Sequence, residues 1–192
     1  MKWFLNMRIA VKIIAGFVLV AIIAGVVGTV GIVNIKEING NSVELYEQNT
    51  VPLGHVGKAM AMNQRMRVNL MLLADKDSDK QYYVDRINQY EKTLRSELAS
   101  YDTIVTEESE QKKLDELFAV IEEGDKTKAE VIELALAGQN EEADKLVKLE
   151  FKEISDRVNE LFDEIMELNI SNAKSKSEFN TETANQATLT ML

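Results

Sequence analysis

Two cations, an amide and a phenol stand at core-type positions of long helical repeats: Arg67, Lys128, Asn63 and Tyr90. A polar group on an apolar seam is costly to bury without a partner, so these positions are where a helical bundle could carry chemistry. Arg67 offers a planar fork that matches a carboxylate, Lys128 a point charge, and Tyr90 a hydroxyl donor. Phe151 stands at the matching height on the last helix. Counted from the distal turns, the five fall within about 6 Å of one layer, at 1.5 Å per residue. That set suits a small carboxylate ligand. A purely structural reading is also open. Lys128 would then extend past the seam to Glu122, Glu123 or Asp125, Arg67 would pair with an acid, and Tyr90 would be core with its hydroxyl at the rim. Arg65 lies about 200° from Arg67 on a helical wheel, so one can face inward and the other a second subunit.

Catalysis has no comparable constellation. Cysteine is absent, which excludes disulfides, thiolate zinc sites and cysteine nucleophiles. His55 is the single histidine. It reads as an ordinary surface residue, with pH sensing or a lone haem ligand as the functional alternatives. The Glu-x-x-His pairs of a di-iron bundle are missing. No catalytic residue, no metal site and no cofactor is assigned. With 32 acids against 22 Lys+Arg and a net charge of -10, the chain is a poor match for nucleic acid. The runs Glu107-Glu108, Glu122-Glu123 and Glu141-Glu142 read as solvated faces and helix-start acids.

The elements that would position the layer are helices. The chain has 192 residues, only one Pro and nine Gly, too few turn formers for a many-stranded β protein. A first seam runs through Ile35, Ile38, Leu45, Pro52, Val56, Ala59, Met66, Leu70 and Leu73 in heptad steps. Pro52 is expected to bend or loosen it. The run from Asp75 to Asp79 is a turn, with Ser78 or Asp79 as the next cap. A second helix carries Tyr83, Ile87, Tyr90, Leu94, Tyr101 and Ile104. Thr106 with Ser109 and Glu110 reads as the start of a third, which uses Leu114, Leu117, Ile121, Val131 and Ala135. Gly138 is its C-cap candidate. The fourth seam is Val147, Phe151, Ile154, Val158, Leu161, Ile165 and Leu168. Four such helices with short loops predict an all-α, membrane-anchored, antiparallel up-down-up-down four-helix bundle.

The anchor is the segment 13–33. Those 21 residues, Ile13 to Val33, are apolar except for Thr29. As a helix they span roughly 31 Å, close to the hydrocarbon thickness of a bilayer. Lys2, Arg8 and Lys12 precede them, and the first acid is Glu37. The positive-inside rule therefore puts 1–12 in the cytoplasm and the bundle, 34–188, outside. Trp3 and Phe4 read as an interfacial anchor. A second span is expected to begin at 189–192, so the chain is read as the front part of a longer protein.

These stretches resemble a known family. The start NMRIAVKIIAGFVLVAIIAGVVGTVGIVNI is similar to the first membrane helix of bacterial methyl-accepting chemotaxis proteins. ALAGQNEEADKLV (135–147) resembles the turn between the third and fourth helices of their sensor bundle, and RMRVNLMLLA (65–74) the end of its first helix. The resemblance implies a homodimeric chemoreceptor of the bacterial inner membrane. Its bundle would bind an organic acid or amino acid, directly or through a periplasmic binding protein. The last helix would shift along its axis and control a histidine kinase complex. It also implies that ligands can lodge between paired first helices, where Arg65 would be a contact. The same bundle occurs on histidine kinases and cyclic-dinucleotide enzymes, so the output stays open. A single-span, membrane-anchored helical interaction protein is the alternative from another class.

Overall fold

The computed structural model describes residues 8–191, and every element among them is helical. Lys2, Trp3, Phe4 and Leu192 lie outside the described residues. The elements are α1 (Ile9–Leu45), α2 (Val51–Leu73), α3 (Lys80–Asp102), α4 (Glu108–Leu136), α5 (Asn140–Leu146) and α6 (Lys152–Met191). Two single π turns, Tyr46–Thr50 and Val147–Phe151, join α1 to α2 and α5 to α6 without ending the helix. The chain divides into two compact units. One is Leu45–Lys174; the other comprises Met1–Glu44 and Ser175–Leu192.

The unit Leu45–Lys174 is the bundle. Its core falls into two apolar clusters. The first holds Val56 and Ala59 from α2, Leu94, Leu98 and Tyr101 from α3, Leu114, Leu117 and Ile121 from α4, and Val158, Leu161, Phe162 and Ile165 from α6. The second gathers Met66, Leu70 and Leu73 with Ile87, Tyr90, Val131, Ala135, Ala143, Val147 and Phe151, at the end bearing the α2–α3 and α4–α5 turns. Each fully buried large side chain contributes about 1.5–3 kcal/mol of transfer free energy.

The turns follow from local chemistry. Asp79 caps α3 by accepting from the Tyr82 N–H at 3.1 Å. Lys80 Nζ donates to Leu73 O at 2.7 Å, Asp75 O at 2.6 Å and Asn140 Oδ1 at 2.7 Å. That satisfies carbonyls at the end of α2 and ties the two distal turns together. Gly138 has φ +79° and closes α4 in a Schellman motif, with Gln139 N–H on Leu134 O at 2.9 Å and Gly138 N–H on Ala135 O at 3.3 Å. Gly124 serves closeness instead of a turn: a Cβ there would meet Ile154 Cγ2 at 3.1 Å. Glycine in mid-helix is thus what lets α4 and α6 approach.

Pro52 loosens its helix in a specific way. The missing N–H would interrupt the ladder, and the helix widens so that Val51 N–H bonds to Tyr46 O, five residues back. Three expectations need correction. The first seam does not bury Ile35, which is exposed, and α1 buries no residue at all. Burial along this helix starts at Asn49, in the π turn that precedes α2. On α6, Leu168 is only half-buried and Asn169 is buried in its place, with Phe162 and Ser155 added. A 3.6-residue helix drifts about 20° per heptad against a strict seven-residue seam. Finally, α4 starts at Glu108 with no side-chain cap, and Glu110 turns inward to accept from Asn172 at 2.8 Å.

In the other unit, Lys176 Nζ pairs with Glu44 at 3.1 Å and Ala187 is buried. Among the described residues, one helix, Ile9–Leu73, contains a window long and apolar enough to cross a membrane, and none of that window is buried.

The αL position of Gly138 sets a test. Gly138→Ala should destabilise the bundle by about 1 kcal/mol, the cost of a Cβ in that conformation. Thermal unfolding followed by circular dichroism measures it.

Candidate functional site

A polar layer separates the two apolar clusters, and it is built from four helices of the bundle. Lys128 on α4 lies on the seam and is 7% exposed. Its ammonium bonds to Glu91 of α3 at 2.6 Å and to Asp125 of α4 at 2.7 Å. Arg95, one turn beyond Glu91, donates Nε to it at 3.0 Å and also binds Asp125. Two carboxylates and two cations thus close a neutral ring across α3 and α4. Burial works to raise the Glu91 carboxyl, but the hydrogen bonds and charges of Lys128, then of Arg95, outweigh it and hold Glu91 below its ordinary value of 4.5.

Asn63 completes the layer from α2. Its amide donates to Asn159 Oδ1 at 3.2 Å and reaches Ser155 Oγ at 3.5 Å, both on α6. Asn63, Lys128 and Phe151 line one internal cavity with Ser155, Asp125 and Gly124. Its volume is about 20 Å³, the room of one water molecule and far below an organic acid.

Of the five residues expected in one layer, these three come together. Arg67 does not line the cavity; it binds Asp156 of α6 at 3.2 Å, partly exposed. Asp156 is held below its ordinary value first by the Lys152 hydrogen bond, with the Arg67 charge the smallest of the named causes. Tyr90 belongs to the distal apolar cluster, and its hydroxyl accepts from Arg86. Arg65 is exposed on the opposite side of α2 from the core. His55 is bound to Glu97 of α3 through Nδ1 at 2.6 Å.

Sequence reasoning missed a second polar cluster, at the end where α2 begins. Asn169 donates to the Tyr101 hydroxyl at 2.8 Å, and that hydroxyl donates to Glu110 Oε2 at 3.4 Å. Asn49, in the first π turn, donates to Asn169 O at 3.2 Å. Tyr101 and Asn169 are fully buried. Burial, together with the adjacent Glu110 carboxylate, pushes the Tyr101 phenol above its ordinary 10.0 against the opposing Asn169 bond. Asn49 falls in the heptad gap between the seam residues Leu45 and Pro52. Glu91, Glu110 and Asn169 gave no such signal, because acids and amides at helix ends and faces are ordinarily solvated.

A family model described as a four helix bundle sensory module for signal transduction matches residues 6–184. A protein of Acetivibrio thermocellus named "Putative sensory transducer protein" is 27% identical over 109 residues, which are 57% of this chain and 20% of that protein. The chain therefore spans about a fifth of that relative's length. No solved structure matches.

The charged ring predicts a pH-dependent cost. Lys128→Met leaves Glu91 and Asp125 to share the single cation of Arg95 and should destabilise the bundle by about 2–3 kcal/mol at pH 7, below the fully buried case because both acids reach solvent. Glu91 is depressed in the fold, so its contribution is present above its ordinary value of 4.5 and is lost as pH falls through the lower folded value. The gap between wild type and variant should therefore narrow on acidification below that value. Urea unfolding at neutral and acid pH reads it; a constant gap would contradict the pairing.

Proposed function

The chain belongs to the family of four-helix-bundle sensory modules for signal transduction found in chemoreceptors, and from that premise we propose a transmembrane sensor of small organic acids or amino acids. The observation that carries the reading is helical hydrogen bonding that runs from Ile9 to Leu73, joining the apolar segment to the bundle in one helix. The segment 13–33 crosses the bacterial inner membrane, with Arg8 and Lys12 on the cytoplasmic side and residues 34–188, the bundle among them, outside.

The ligand enters the polar layer at Asn63, Lys128 and Phe151, and draws on Arg67 and Tyr90 from beside it. With room for one water there, binding needs the helices to part. An incoming carboxylate then competes with Glu91 and Asp125 for Lys128, and with Asp156 for Arg67. Such a ligand binds the parted state better than the closed one, and that difference is what shifts the population. Ser155, Phe151 and Asp156 stand in the last helical leg of the bundle, so the parting is felt by α6. A shift of α6 passes inward to a downstream signalling partner, a histidine kinase complex.

The receptor works as a homodimer through the outer face of α2. That helix contains no acidic residue, whereas α4 is strongly acidic. Its outer face sets Gly54, Gly57 and Ala61 below the exposed Val68, Met71 and Leu72. Small residues permit close approach and the apolar ones reward it. Arg65 lies on the same face, available to a ligand held between subunits.

Two measurements test this. Thermal melting of the full chain in nanodiscs against a panel of organic acids and amino acids should show a saturable rise for at least one carboxylate. Arg67→Ala and Lys128→Ala should abolish the response; a flat panel, or unaltered affinity in both variants, removes the polar-layer reading. The chain has no cysteine. Leu72→Cys in membranes should therefore oxidise to a dimer and Glu130→Cys should not; equal yields would remove the α2 interface.

A further inference from the structure

The partly buried cations of the bundle are matched to carboxylate, carbonyl or amide oxygens with one exception. Among the described residues that are not fully exposed, Arg67 binds a carboxylate, Lys113 and Lys128 bind two each, and Lys80 has three oxygen acceptors. Arg86 of α3 has no carboxylate. Its Nη2 donates to the neutral hydroxyl of Tyr90, and its Nε is buried with no acceptor.

The surroundings are aromatic. The Arg86 guanidinium carbon lies 5.7 Å from the Tyr82 ring centroid and 5.1 Å from that of Tyr90. Tyr83 packs edge-on against Tyr82 at 5.2 Å. Both rings lie within cation–π distance of the guanidinium, and of its N–H groups Nη2 already donates to the Tyr90 hydroxyl. Because the Tyr90 oxygen accepts from Arg86, its own proton is free to donate. Tyr82 is 50% exposed and Arg86 is partly exposed, so the cluster opens to solvent.

We infer that Arg86, with Tyr90 as second donor and Tyr82 as platform, is a docking subsite for the carboxylate of a small organic acid. The inference rests on the proposed carboxylate sensing and places the first contact on α3, outside the polar layer. A carboxylate taken edge-on accepts from the guanidinium and from the Tyr90 O–H. A small rotation of Arg86 then brings Nε to the second oxygen and satisfies a donor that the closed bundle leaves unmatched. An unmatched buried donor is the less stable state, so the anion is bound against a site that already favours it. Tyr90 also belongs to the distal apolar cluster, which connects the surface anion to the packing of the helices.

The test is titration of the full chain in nanodiscs with acetate, succinate and benzoate, each against chloride and inorganic phosphate at matched ionic strength. The arginine Nε–H signals are followed by nitrogen-15 NMR, and Arg86 is identified by its loss in Arg86→Lys. The Arg86 signal should shift saturably with at least one carboxylate and not with chloride or phosphate. Arg86→Gln should weaken binding about tenfold or more, and Tyr90→Phe several-fold. Lys128→Gln should leave the Arg86 shift in place. If the melting temperature responds to a carboxylate while the Arg86 signal stays still, the subsite is overturned and carboxylate sensing stands. If neither responds, both fall. Equal shifts with chloride and phosphate overturn the subsite as a generic ion effect.

Discussion

A lysine at a seam position sets the terms for the bundle. Lys128 cannot leave its charge unpaired at 7% exposure, because an isolated buried ion costs several kcal/mol even after relaxation. Glu91 and Asp125 answer it, and Arg95 in turn balances them. That ring fixes the register of α3 against α4. Asn63 with Asn159 and Ser155 fixes α2 against α6 at the same height. The apolar clusters lie on either side, and neither could slide by a turn without stranding one of these polar groups.

The apolar packing is less demanding about register. A heptad seam of Leu, Ile and Val tolerates small shifts, since the transfer free energy depends on area and hardly on which side chain meets which. The polar layers supply the discrimination. The same holds at the other end, where Tyr101, Glu110, Asn169 and Asn49 tie four segments together. A bundle held by discrete polar layers between yielding apolar ones has defined alternative positions, which is the property a signalling helix needs.

The two π turns belong to the same account. One absorbs Pro52 and brings Asn49 to Asn169; the other precedes α6 and delivers Phe151 to the polar layer. Each occurs where a helix must present a side chain that a regular α-helix would aim elsewhere. Gly124 adds the closeness between α4 and α6 that keeps the cavity to about 20 Å³.

The helices, their order and most of the core were legible in the sequence, because a period near 3.6 in apolar residues has one inexpensive solution and because Asp79 and Gly138 mark ends by local chemistry. Leu114, Leu117, Ile121, Val131 and Ala135 are buried as their spacing predicts. The heights of Asn63, Lys128 and Phe151 followed from rise per residue alone. What that arithmetic could not give was rotation and partnership. A few tens of degrees of drift along α6 exchange Leu168 for Asn169, and the choice among Glu122, Glu123, Asp125 and Glu91 as partners of Lys128 depends on which helix is adjacent. Arg67 and Arg86 have the same side chain on neighbouring helices; packing gives Arg67 an aspartate from another helix, whereas Arg86 has its two tyrosines four residues to either side on its own helix. The sequence by itself determined which residues seek the interior, since that is a property of each side chain with water. The tertiary structure alone decided which polar groups meet there, since that is a property of pairs.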